Sequence, residues 1–261
     1  MQTRPPLLEF VNVTVRRGDR VALDSISLTI ASGENLAIVG PNGCGKSTLI
    51  KTITRELYPM PYQGSSLRIL GRDRWHIFDL RSHLGIVSND LGDQFRREIT
   101  GREAVLSGFF SSVGIWPHQQ ITKGMKTKSA AALERIGASH LSDRTIDEMS
   151  SGEARRIVIA RALVHDPEAL VLDEPTNSLD LRATHELRES MRALAQSGIG
   201  IILVTHHLPD IIPEIDRVVL MKNGRLLKDG RKEETLHSGV LTDLFESPLE
   251  VFQRDSYYHA W

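Results

Sequence analysis

Eight consecutive residues, Gly40-Pro41-Asn42-Gly43-Cys44-Gly45-Lys46-Ser47, follow the spacing G-x-x-x-x-G-K-S. The glycines let backbone N–H groups curl around an anion where a Cβ would clash. Lys46 supplies an ammonium for β- and γ-phosphates, and the Ser47 hydroxyl is an oxygen ligand for Mg²⁺. A glycine-rich turn with an incidental lysine is the plainer reading. The context argues against it: the almost wholly apolar Asn35–Val39 precedes the loop, and Lys46–Leu57 has helical character after it. A second constellation, Asp173-Glu174-Pro175, follows the apolar run Ala169–Leu172. Carboxylates at the end of a buried strand lie where α/β sheets place their ligands. Asp173 suits Mg²⁺, and Glu174 suits a general base that polarises water against the γ-phosphate. Cys44 sits close to a helix N-terminus, which lowers a thiol's pKa. It reads nonetheless as the filler of a permissive loop position.

These groups need strands and helices to hold them. Leu8–Val15 and Ala22–Ile30 read as strands around the turn Arg16–Asp19. Asn35–Val39, Ala169–Leu172 and Ile199–Val204 are short apolar runs, as expected of parallel strands buried on both faces. Ile69–Gly71 and Leu84–Ser88 are further short strands. Val158–Leu163 and Thr184–Ala195 read as helices. Asn223-Gly224, between Arg217–Met221 and Arg225–Lys228, is a strong two-residue hairpin signal. From about Asp90 to Asp147 the texture changes, with apolar residues at helical spacing such as Val105, Phe109 and Val113. That stretch reads as a helical insertion. The expected class is α/β: a P-loop core with a parallel sheet, an N-terminal antiparallel β subdomain and an inserted helical subdomain.

Composition excludes other classes. The chain has 261 residues, 40% hydrophobic and 25% charged, a globular mix able to bury a core. The formal net charge of -1 offers no global attraction to nucleic acid, and none is expected as a partner. A single cysteine forbids an intrachain disulfide and suits a reducing compartment. Met1–Glu9 lacks the pattern of a secretory signal, and no apolar run approaches the roughly 20 residues that span a bilayer. A soluble, cytoplasmic protein is expected, serving a membrane only by docking to another chain.

Beyond the loop and the acidic pair, Met149-Ser150-Ser151-Gly152-Glu153 resembles the signature of the ATP-binding cassette (ABC) ATPases, usually Leu-Ser-Gly-Gly-Gln. Ser178-Leu179-Asp180 resembles that family's D-loop, and His206, after Ile201–Thr205, its switch histidine. The resemblance covers nearly the whole chain. It implies residues 1–89 and 164–261 as a nucleotide-binding core and about 90–163 as the signature subdomain. It further implies a head-to-tail homodimer enclosing two ATP with Mg²⁺. Gly40 through Thr48, with Lys46 and Ser47, would bind ATP in one copy; Ser150 and Gly152 would reach it from the other, beside Asp180. Ser47 and Asp173 would hold the metal, while Glu174 and His206 would act on the attacking water. His207 reads as an ordinary histidine.

Three departures from the pattern matter. Arg17 stands where the family usually stacks an aromatic on adenine; a guanidinium can also stack, and a solvated turn residue is an equal reading. Asn89 stands at the Q-loop glutamine and would reach Mg²⁺ less far, unless a residue such as Gln94 serves. Ser151 and Glu153 alter the signature, and Glu153 brings a negative charge towards the partner's phosphates. Retained but slowed hydrolysis is expected. Phe109, Phe110 and Trp116 read mainly as core of the helical subdomain, with an apolar docking patch as the alternative, and Arg96-Arg97 as a solvated face. The wording Ser107–Ile115 and the tail after Leu241 resemble molybdate and iron-chelate uptake cassettes. That implies an importer of a metal, oxyanion or metal chelate, docked to a transmembrane permease at the inner face of the membrane. The competing class, a soluble ABC ATPase acting mechanically on a macromolecule, mostly carries two cassettes per chain, and this chain has one loop and one signature. A P-loop kinase or GTPase would lack the signature and the D-loop.

Overall fold

The structure is a computed structural model and describes residues 4–88 and 98–261. Asn89, Gln94, Arg96 and Arg97 lie outside the described residues. The chain divides into two compact units, residues 1–80 with 200–261 and residues 81–199.

In the first unit, β1 (Leu8–Arg17) pairs antiparallel with β2 (Arg20–Ile30). The inward residues face one another as Leu8↔Ile30, Phe10↔Leu28, Val13↔Ile26 and Val15↔Leu23, all buried. The register shifts between Phe10 and Val13, where Asn12 takes a φ of 48° and donates its N–H to Ser27 Oγ at 3.0 Å. Such a bulge bends the strand and keeps both apolar stretches on one face. The second sheet of this unit contains β3 (Leu36–Val39), whose four residues are fully buried. After β3 comes the helix α1 (Lys46–Ile53), then β4 (Ser66–Ile69), which joins the first sheet beside β1.

Between the units' sequence segments lies α2 (Ile77–His83). In the second unit β5 (Leu84–Val87) runs parallel to β6 (Ala169–Asp173). The helices of this unit are α3 (Gly101–Leu106), α4 (Lys123–Arg135), α5 (Ser151–Leu163) and α6 (Leu181–Gln196). Val105, Leu133, Leu141, Ile157 and Ile159 are buried within it. Thr100, Thr122, Ser150 and Asp180 each cap the helix that follows by accepting a backbone N–H, which satisfies an orphan donor of the first turn.

Back in the first unit, β7 (Gly200–Thr205) and β8 (Arg217–Lys222) flank β3, both parallel to it. Then β9 (Arg225–Arg231) closes on β8 through Asn223-Gly224, whose φ values of 50° and 77° are those of a two-residue hairpin turn. Short helices α7 (Lys232–Thr235) and α8 (Ser238–Phe245) follow. The last hairpin, β10 (Val251–Arg254) with β11 (Tyr257–Ala260), stacks Phe252 on His259. The fold is therefore mixed α/β, with a parallel sheet and a separate antiparallel one.

Several expected boundaries are corrected. Helix α1 stops at Ile53, not Leu57, because the chain turns out of it at Arg55 with a φ of 60°. The strand expected at Ile69–Gly71 ends at Ile69; Ile69 bridges Arg72, and Gly71 occupies the turn with a φ of +75°. Val105, Phe109 and Val113 do not share one helix. Helix α3 ends at Leu106, a 3-10 turn covers Ser107–Phe110, and Ser111 adopts a φ of 51°. Nor are Phe109, Phe110 and Trp116 core residues: the two phenylalanines are half-buried and Trp116 is 47% exposed.

Candidate nucleotide site

In the first unit the phosphate loop is built from β3 downstream. Val39 is buried, and the chain leaves the sheet at Gly40. A Cβ on Gly40 would lie 2.3 Å from the Met221 carbonyl oxygen, so only glycine passes here. Gly45 is the N-cap of α1 at a φ of 114°, and a Cβ there would meet the Ala22 carbonyl oxygen at 2.8 Å. No side chain caps α1, and its first turn carries no acidic residue. The start of α1 thus offers its positive dipole end to an anion. Lys46 is buried, and its Nζ donates to the Gly40 carbonyl at 2.7 Å and the Pro41 carbonyl at 3.2 Å, which holds the ammonium over the loop. Ser47 is exposed beside it, while Cys44 and Thr48 are buried and Asn42 and Gly43 face solvent. The structure thus makes Cys44 a packed loop residue.

A clamp absent from the sequence reading fixes this loop. Gly224 N–H donates to the Cys44 carbonyl at 2.8 Å, and the Gly224 carbonyl accepts from Asp24 N–H at 2.8 Å. Arg225 then pairs with the Asp24 carboxylate at 2.6 Å. The Arg225 hydrogen bond first, and Ser25 after it, hold the Asp24 carboxyl below its ordinary range. Asn223-Gly224 announced a turn, but nothing local tied it to a loop 180 positions earlier.

Two further expected residues lie in this unit. Arg17 ends β1, exposed, directly across from Arg20. His206 follows β7, and its ring lies 3.9 Å from that of His207, centroid to centroid. The turn beneath them is set by Thr205, whose hydroxyl donates to the buried Asp210 carboxylate at 3.2 Å and accepts the His207 N–H at 3.0 Å. Asp210 thus braces, through Thr205, the backbone at His207, a role the sequence did not announce.

The second unit carries the other expected residues. Asp173 ends β6, and Glu174 follows with a φ of 46°, a left-handed conformation that few non-glycine residues adopt. Pro175 and Thr176 are buried behind it, and Asp180 caps α6 by accepting the Ala183 N–H at 2.7 Å. Ser150 is exposed at the N-cap of α5. Its Oγ accepts the Glu153 N–H at 3.3 Å, and Glu153 accepts the Ser150 N–H at 2.8 Å in return. Behind it, a Cβ on Gly152 would lie 2.5 Å from the Ala183 Cβ. With Ser151 donating to the Ser178 carbonyl at 3.4 Å, the starts of α5 and α6 are packed together. Signature and D-loop residues are therefore neighbours within one chain.

Comparison with known proteins fits this geometry. Residues 23–177, more than half the chain, match the family model described as ABC transporter. A hemin import ATP-binding protein of Bradyrhizobium diazoefficiens is 32% identical over 95% of this chain and 92% of its own length. An ABC transporter ATP-binding protein of Bacillus subtilis is 31% identical over 94% of this chain and 93% of its own. Among solved structures, CbiO1 from Clostridium perfringens, part of the ABC transporter complex CbiONQ, shares the fold with a TM-score of 0.77 at 28% identity. The alignment covers 92% of this chain and 94% of that one. A phosphate loop, an acidic strand end and a capped signature helix, in a chain this similar to such cassettes, belong together: the protein is a member of the ABC transporter family, an ATP-binding subunit that hydrolyses ATP.

Proposed function

We propose that two copies of this chain close head-to-tail around two Mg-ATP and drive a transmembrane permease, importing a metal, oxyanion or metal chelate. One observation carries the dimer: a single chain presents two helix starts suited to a phosphate, α1 behind the phosphate loop and α5 behind Ser150. Leu181 adds to it. This residue follows the D-loop Asp180 and is 92% exposed, apolar surface that a second copy would cover. The importer reading draws on the hemin import relative, and the permease on the CbiONQ neighbour. Among the described residues no helix is long and apolar enough to cross a membrane, so passage belongs to the partner. We place the subunit on the cytoplasmic face.

In this reading Lys46 neutralises the β- and γ-phosphates, and the backbone of Gly40–Thr48 cradles them. The Ser47 hydroxyl and Asp173 carboxylate are hard oxygen donors that fit Mg²⁺, which when bound neutralises phosphate charge. Glu174 takes the proton of the water that attacks the γ-phosphorus, and ADP leaves with the bridging oxygen. His206 hydrogen-bonds the γ-phosphate. Ser150 and Gly152 of the second copy complete the phosphate's donors, and Arg17 stacks on the adenine. The test is Glu174→Gln, which removes the base and keeps the shape. With ATP it is expected to elute as a stable dimer in size-exclusion chromatography, whereas a variant monomeric at saturating ATP defeats the sandwich. For the transport role, co-purification with a multi-span membrane protein encoded nearby is expected.

A further inference from the structure

Glu153 uses both of its carboxylate oxygens. Oε2 accepts the Ser150 N–H at 2.8 Å, and Oε1 accepts Arg144 Nη1 at 2.8 Å. The other arm of the same guanidinium donates to the Glu148 carbonyl, so Arg144 is held at both nitrogens. Its backbone is fixed as well. The Arg144 carbonyl accepts the Gly101 N–H at 2.9 Å, Arg102 N–H donates to the Ser142 carbonyl at 2.8 Å, and Ile146 N–H donates to the Ile99 carbonyl at 3.0 Å. Thr145 bridges Thr100 in this pairing. Arg144 is therefore presented from a pinned turn, with its side chain 40% exposed against 20% for Glu153.

A neutral amide at position 153 would also accept the Ser150 N–H and bring no charge. A carboxylate there is the better cap for its own helix, because it sits at the positive dipole end. It is the worse neighbour for an incoming polyphosphate, because like charges repel across a desolvated gap. The guanidinium of Arg144 removes that conflict. The Ser150 cap bond first, and Arg144 after it, hold the Glu153 carboxyl below its ordinary range, so the carboxylate is ionised at neutral pH.

We propose that Arg144 is a positioning residue of the composite ATP site: through Glu153 it fixes the Ser150 end of α5 and cancels the negative charge that Glu153 would otherwise present to the second copy's ATP. The proposal rests on the head-to-tail reading, in which Ser150 faces that ATP. Arg144 acts through its neighbour and does not touch nucleotide itself.

The test is a double-mutant cycle on the full chain, Arg144→Met and Glu153→Gln singly and together. Three quantities are read: KM and kcat for ATP, ATP-driven dimerisation in the Glu174→Gln background, and the melting temperature without nucleotide. Arg144→Met is expected to raise KM and weaken dimerisation about fivefold, the scale of one partly exposed charge pair, with kcat nearly unchanged. In the Glu153→Gln background the same substitution is expected to change neither quantity, because no charge remains to cancel. A loss of the same size in both backgrounds, accompanied by a lower melting temperature, would mean that Arg144 only staples the turn, and the proposal fails. No effect of Arg144→Met on KM or dimerisation also overturns it. Failure of the dimer reading looks different: Glu174→Gln alone then stays monomeric with ATP, and the proposal falls with it.

Discussion

Glu153 is kept ionised by its place at the head of α5, and acid should remove what that contributes. Its carboxyl is held below the ordinary value of 4.5, by the Ser150 N–H first and by Arg144 after it. A carboxyl with a lowered folded-state pKa adds stability that is present above its unfolded value and lost as pH falls through the folded one. The melting temperature of the native chain is thus expected to exceed that of Glu153→Gln near neutrality, with the gap closing below about pH 4.5. A gap independent of pH would show that the cap bond alone matters. The motif residues themselves were legible: Lys46, Ser47, Asp173 and Ser150 are announced by neighbours within a few positions. Arg144 was not, because a charge nine residues before its partner, across a turn, has no fixed spacing. Asp210 was missed for a similar reason, since its hydrogen bond to Thr205 passes through a 3-10 turn.

At the scale of elements, the β8–β9 turn determines how firmly the phosphate loop is held. Gly224 has a φ of +77°, and a Cβ there would lie 2.7 Å from the Ala22 carbonyl oxygen. Gly224→Ala should therefore push the turn away from β2 and break its bond to Cys44. A destabilisation of about 1–3 kcal/mol is expected, seen as a lower urea midpoint. KM for ATP is expected to rise more than kcat falls, and an unchanged KM would show that the loop holds itself. The buried strands were plain from sequence, because short runs such as Leu36–Val39 and Ile201–Val204 have no polar face to present. The stretch after Leu106 was not. Its apolar residues repeat near helical spacing, but Gly114 and Ser111 adopt positive φ, and backbone conformation there overrides periodicity.

Over the whole molecule, β3 owes its position to strands far along the chain. It runs between β7 and β8, and the turn that fastens its loop comes after β8. The contiguous stretch that matches the family, residues 23–177, holds the loop and the signature but neither flanking strand. A chain stopped after Asp216 keeps every residue assigned to ATP and loses β8, β9 and Gly224. It is expected to bind a fluorescent ATP analogue at least tenfold more weakly than the full chain, an approximate figure matching about 1.4 kcal/mol of lost binding. Full affinity in that fragment would show the loop to be self-supporting. During synthesis the ribosome delivers the nucleotide grip early and its frame late. A nascent chain that has not yet made β8 is therefore expected to gain little from ATP, because the strand that flanks β3 on that side arrives last.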